Sequence, residues 1–138
     1  MKNIILDTDI GTDSDDIGAV SIACNLHRQG KINLLAITST SSTFEPAYTI
    51  DLIAECYGVT VPIGKNEFSY GDDDQHGDYA RKICKQYHSR LEGKQIPTAT
   101  KVLRKALTQG NVTLVTIGPL VNIATLLDSP ADEISPLT

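Results

Sequence analysis

The sequence predicts an α/β fold, an open and mostly parallel sheet with helices on both faces. Hydrophobic periodicity alternates along the chain between short strand-like runs and helical stripes, the pattern of a doubly covered sheet. The composition, 41% apolar and 21% charged over 138 residues, is that of a domain with its own core rather than a disordered segment. Residues 1–138 therefore read as one Rossmann-like unit, with no internal repeat and no low-complexity stretch.

Ile4 to Leu6 is a buried strand, followed by Ala19, Ile22, Ala23 and Leu26 at helical spacing with Gly30 as the stop. Ile32 to Ile37 is a second strand, and Ile50, Ile53, Ala54 and Tyr57 stripe a helix ending at Gly58. Val59 to Ile63 is a third, short strand. Ala80, Ile83, Cys84, Tyr87 and Leu91 mark one further helix and Val102, Leu103, Ala106 and Leu107 another. Val112 to Ile117 is rich in β-forming residues and reads as a central strand buried on both faces, before a final apolar segment from Leu120 to Leu127. Such a strand normally has neighbours on each side, and one left with an open flank would invite association. The polar connection from Lys65 to Asp78 is longer than α/β elements need and is a candidate lid or substrate loop.

Charge and cysteine usage narrow the function classes. A formal net charge of −5 without a Lys/Arg cluster argues against nucleic acid as a partner. The start, Met1-Lys2-Asn3, runs into a short apolar segment, so neither a signal peptide nor a membrane span is expected and the expected compartment is the cytoplasm. Cys24, Cys56 and Cys84 fall within apolar helical patterns, far from one another, and read as reduced core residues. His27 and His88 read as solvated. His76 lies in the long loop beside Asp72, Asp73 and Asp74, where it reads as part of a solvated acidic segment, with base recognition or leaving-group protonation as the alternative.

The chemistry concentrates in "IILDTDIGTDSDDIGAV", residues 4 to 20, which holds Asp7, Asp9, Asp13, Asp15 and Asp16 directly behind an aliphatic run. Like charges this close repel by roughly 1 kcal/mol per pair in water and more where water is excluded, so the cluster calls for a cation or shared protons. Asp7 and Asp9 leave the carboxyl end of the first strand, where open α/β sheets gather ligands. Asp15 and Asp16 open the next helix, where its dipole favours negative charge. Helix capping accounts for Asp13 or Asp15 but leaves Asp7, Asp9 and Asp16 as a surplus. Hard oxygen donors in this number suit Ca²⁺ or Mg²⁺ rather than zinc. An EF-hand does not fit: the lead-in is a strand, and Gly11 is fifth rather than sixth from Asp7.

A strand followed by D-T-D-I-G and then a double aspartate opening a helix resembles the inosine-uridine preferring nucleoside hydrolase family. "LVTIGPLVNIATLL", residues 114 to 127, is similar to that family's strand-turn-helix G-P-L-x-N segment. The resemblance spans nearly the whole chain and implies the N-terminal part of a single, longer nucleoside hydrolase-like domain. It implies calcium-dependent hydrolysis of the N-glycosidic bond of nucleosides by a homo-oligomer. Asp9 would be a calcium ligand and the general base that activates water, Asp16 a second calcium ligand, and Asp15 a ligand of ribose hydroxyls. Asp7 would support the cluster, and Ile117 would offer its backbone carbonyl to the metal. Thr12-Asp13-Ser14 lengthens the usual spacing, so Asp13 competes for a site role; Asp15-Asp16 is preferred because "DDIGAV" leads straight into the helical stripe. Where the family has an asparagine after its second strand, "TSTSSTFEP" offers Ser42 and Thr43. The family's C-terminal calcium aspartate and leaving-group residues have no counterpart in these residues, so the 138-residue polypeptide alone is expected to be inactive. A rival is the Mg²⁺-dependent haloacid dehalogenase-type phosphatase, which "LDTDIGTDSD" also resembles; Ile10 breaks its spacing, and Asp15-Asp16 has no role there. A non-catalytic calcium- or sugar-binding relative is the third alternative.

Overall fold

Period-2 and period-3.6 runs translate into four strands and five helices in the computed structural model, which describes residues 1–11, 13–69 and 78–131. In chain order they are β1 (Lys2–Thr8), α1 (Asp15–Arg28), β2 (Ile32–Ser39), α2 (Phe44–Cys56), β3 (Ile63–Lys65), α3 (Asp78–Gln86), α4 (Ala99–Leu107), β4 (Val112–Thr116) and α5 (Val121–Asp128). The sheet is parallel throughout, in the order β3-β2-β1-β4, consistent with a Rossmann-like open α/β fold. His76 and Asp72 to Asp74, with most of the long polar connection, lie outside the described residues.

Strand alternation sorts side chains into two cores. Leu6, Leu34, Ile37 and Ile63 pack with Val20, Cys24, Ala47, Ile50 and Ala54 of α1 and α2 on one face. Ile5 and Ala36 pack with Val102, Leu103, Ala106 and Leu126 of α4 and α5 on the other. Between Ile4 and Ile5 the β1–β2 register slips by one residue, a bulge that leaves Leu35 unmatched.

Several expectations shift. The third strand begins at Ile63 rather than Val59, because the Val59 N–H closes α2 by donating to the Ala54 carbonyl, and pairing with β2 begins where the Pro62 carbonyl accepts from Ile37. The third helix stops at Gln86 rather than reaching Leu91. Past it, the chain is captured by buried Asp51, which accepts from the Ser89 hydroxyl, the Arg90 N–H and the Arg90 guanidinium at 2.7–3.0 Å. The fourth strand is not buried on both faces. Among the described strands it pairs with β1 alone and keeps one flank open; only Val112 and Leu114 of it join a core, and Val115 is 37% exposed. Leu120 (60%) and Leu127 (78%) extend this uncovered apolar surface. Cys24 is buried and Cys84 half-buried, as a core role requires, whereas Cys56, the last residue of α2, is exposed. His27 is half-buried, and its Nδ1 accepts the Leu34 N–H at 3.1 Å, fastening α1 to β2. No described helix is long and apolar enough to cross a membrane.

Candidate active site

Because successive residues of β1 face opposite cores, its last two polar residues are dealt to different sides of the sheet. Asp7 follows Ile5 toward α5, and Thr8 follows Leu6 toward α1. The fully buried Asp7 carboxylate accepts from the Thr38 hydroxyl at 2.5 Å and from Asn122 Nδ2 at 2.8 Å, both on Oδ1. Its Oδ2 is buried with no hydrogen-bond partner. Burial pushes the Asp7 carboxyl above its ordinary range and the charge of Asp9 adds to this, while the bonds from Asn122 and Thr38 oppose it. Asn122 also donates to the Ser39 carbonyl at 2.9 Å, so one amide ties the first turn of α5 to the ends of both β1 and β2.

On the other side Thr8 donates its hydroxyl to Asp16 Oδ1 at 2.5 Å and accepts from the Ile10 N–H at 3.2 Å. Asp16, in the first turn of α1, is buried, whereas Asp13 and Asp15 are exposed. Burial is the main reason the Asp16 carboxyl rises to about 6; the charges of Asp9 and Asp15 and a hydrogen bond shared with Asp9 push the same way, against the Thr8 hydroxyl. The crowding inferred from sequence is therefore real for Asp9, Asp15 and Asp16. Asp7, on the opposite face of β1 from Thr8, also feels the charge of Asp9.

The turn after β4 completes the site. Ile117 N–H donates to the Asp7 carbonyl at 2.9 Å, extending the β1–β4 ladder one step beyond the strand. Gly118 then lies so close to Asp9 that a Cβ there would stand 2.9 Å from the Asp9 backbone nitrogen, Cβ and Cγ. Only glycine fits that approach without displacing Asp9. The two sequence motifs, at opposite ends of the described chain, thus meet at the carboxyl end of adjacent parallel strands.

Four contributors went unassigned in the sequence. Asn122 stood inside the quoted G-P-L-V-N run, where an amide in an otherwise apolar helix start is the signal. Thr8 and Thr38 look like ordinary strand residues. Tyr79, one residue before the α3 stripe, carries no local signal; its hydroxyl accepts the Gly11 N–H at 2.8 Å. Ser42 and Thr43 serve the backbone instead of a ligand: the Ser42 carbonyl accepts from Lys65 Nζ at 2.7 Å and Thr43 is the N-cap of α2.

Among the described residues, no three or more His, Cys, Asp or Glu side chains gather closely enough to hold a metal ion by themselves. The donor chemistry nevertheless fits a hard cation. Two adjoining carboxyls, Asp9 and Asp16, share a hydrogen bond in place of a counter-charge, and Asp7 keeps an unpartnered buried oxygen beneath them. In comparisons with known proteins, no family model and no curated protein matches the chain.

Proposed function

We propose that these residues belong to a calcium-dependent nucleoside hydrolase, which cleaves the N-glycosidic bond of ribonucleosides to ribose and free base. What supports this reading above all is the meeting of Asp9 with the Gly118 turn, beside a buried Asp16 and an exposed Asp15. Asp9 and Asp16, with the Ile117 carbonyl, would hold the cation, which supplies charge compensation for the carboxylates and acidifies water. Asp9 would take the proton as water attacks the anomeric carbon; the C–O bond forms and the bond to the base breaks through an oxocarbenium-like transition state, its electron pair leaving on the base nitrogen, which takes a proton from water to give the free base. Asp15, exposed at the helix start, is placed to accept hydrogen bonds from vicinal ribose hydroxyls and fix the ring for attack. Asp7 does not touch substrate; bound to Asn122 and Thr38, it sets where the β1 terminus lies. A cytoplasmic homo-oligomer acting on free nucleosides accords with the acidic surface and the uncovered β4 edge.

The test is release of reducing sugar from inosine and uridine by the protein in its natural length, with calcium and with chelator, alongside phosphate release from a generic phosphoester. Calcium-dependent sugar release is expected. Phosphate release without sugar release would move the assignment to the phosphatase reading, and calcium binding with neither product to a binding module.

A further inference from the structure

Thr8 fastens Ile10 and Asp16 of the aspartate turn between β1 and α1, but at Gly11 and Ser14 the turn shows no such local side-chain bond. Gly11 stands at φ +147°, a conformation that side-chain-bearing residues rarely adopt, and the α1 N-cap residue, Ser14, makes no side-chain capping bond. What fixes Gly11 comes from a distant element. The Tyr79 hydroxyl, in the first turn of α3 and 68 positions away in sequence, accepts the Gly11 N–H at 2.8 Å. The phenol is half-buried, and the charges of Asp16, Asp15 and Asp9 all reach it. Burial first, then those charges, hold its acidity down, with a pKa pushed up to about 12, so it remains a neutral hydroxyl. The Gly11 bond occupies a lone pair and leaves the phenolic proton as a neutral donor beside three carboxylates.

We propose that Tyr79 is a positioning residue of the acid site: by anchoring the Gly11 turn it sets where Asp15 and Asp16 stand. Its consequence for cation binding rests on the function proposed above; the anchoring does not. Tyr79→Phe keeps the ring and removes the hydroxyl, and Tyr87→Phe, at an exposed tyrosine just beyond α3, is the control. Three quantities are measured on the natural-length protein: amide exchange at Gly11, the carboxyl carbon resonances of Asp15 and Asp16, and calcium affinity by calorimetry. Loss of one neutral hydrogen bond is worth up to about a factor of ten, so Tyr79→Phe should speed Gly11 exchange and weaken calcium by about tenfold, with the two resonances shifted. Tyr87→Phe should change none of these. Unaltered Gly11 exchange, or unaltered Asp15 and Asp16 resonances, overturns the proposal. So does an unchanged calcium affinity in Tyr79→Phe when the wild type binds. If the wild type takes no calcium, the metal reading falls, and the exchange rates and resonances alone decide the role of Tyr79.

Discussion

Asn122 and Asp7, 115 positions apart in sequence, are joined by a 2.8 Å hydrogen bond wholly inside the protein. The bond does for the α4/α5 side of the sheet what Thr8 and Asp16 do for the α1 side: it locks a helix start onto the end of β1. Asn122→Ala would leave a buried carboxyl with Thr38 as its remaining donor and release the Ser39 carbonyl as well. The expected cost is about 2–3 kcal/mol of unfolding free energy, read from urea denaturation. A loss within experimental error of zero would show that water replaces the amide.

Asp9 carries the proton in the proposed reaction. Asp9→Asn preserves shape and removes basicity, so far-ultraviolet circular dichroism should be unchanged while turnover falls about 10²- to 10⁴-fold. Near-normal turnover with the fold intact would remove Asp9 from the chemistry.

Register within the acidic stretch is decided by metal affinity. In calorimetric titrations of the natural-length protein, Asp9→Ala and Asp16→Ala should abolish or greatly weaken calcium binding, whereas Asp13→Ala, at an exposed position, should leave it nearly unchanged. Equal losses at Asp13 and Asp16 would move the site toward the N-terminal end of the loop.

The raised pKa of Asp16 makes a signed prediction for the metal-free protein. Unfolded, the group releases its proton near 3.8; folded, it keeps it to about 6. Between those values the native state binds more protons than the unfolded one, so stability falls as pH rises from about 4 to about 6. Asp16→Asn should remove most of that slope and, at pH 7 in chelator, raise stability by on the order of 1–2 kcal/mol. Thermal melts across that pH range read it directly. A wild-type stability that climbs from pH 4 to 6 with this slope unaffected by the substitution would contradict the assignment.

Among the described residues β4 has an open flank, and the protein is expected to self-associate through it. Light scattering should report oligomers, and Val115→Lys, placing a charge on the exposed side of the edge strand, should shift them toward monomer. A monodisperse wild-type monomer would refute the expectation.

Local periodicity made most elements legible. The stripes of α1, α2 and α4 and the runs of β1, β2 and β4 are written in residues a few positions apart, and the structure follows them. What was illegible is long-range. The end of the third helix is dictated by Asp51, 39 positions before Arg90, and the status of β4 as an edge depends on which strands exist beside it. In the site, the excess of aspartates was visible, but not that alternation along β1 would send Asp7 to Asn122 on the α5 side and Thr8 to Asp16 on the α1 side. Tyr79 was hidden for the same reason: its meaning lies entirely in a backbone amide on another element.

The pairing of β1 with β4 also governs when the site comes into being. β1 emerges before the other described elements, and β2 reaches it early, yet the partner on its other side begins at Val112, opposite Asn3. Closing so long a loop adds little to the equilibrium cost but slows the search for the native pairing. Until it closes, Asp9 has no Gly118 against it and Asp7 no Asn122. A nascent chain can therefore hold its α1/α2 core, with Thr8 already on Asp16, before the α5 side of the site is in place.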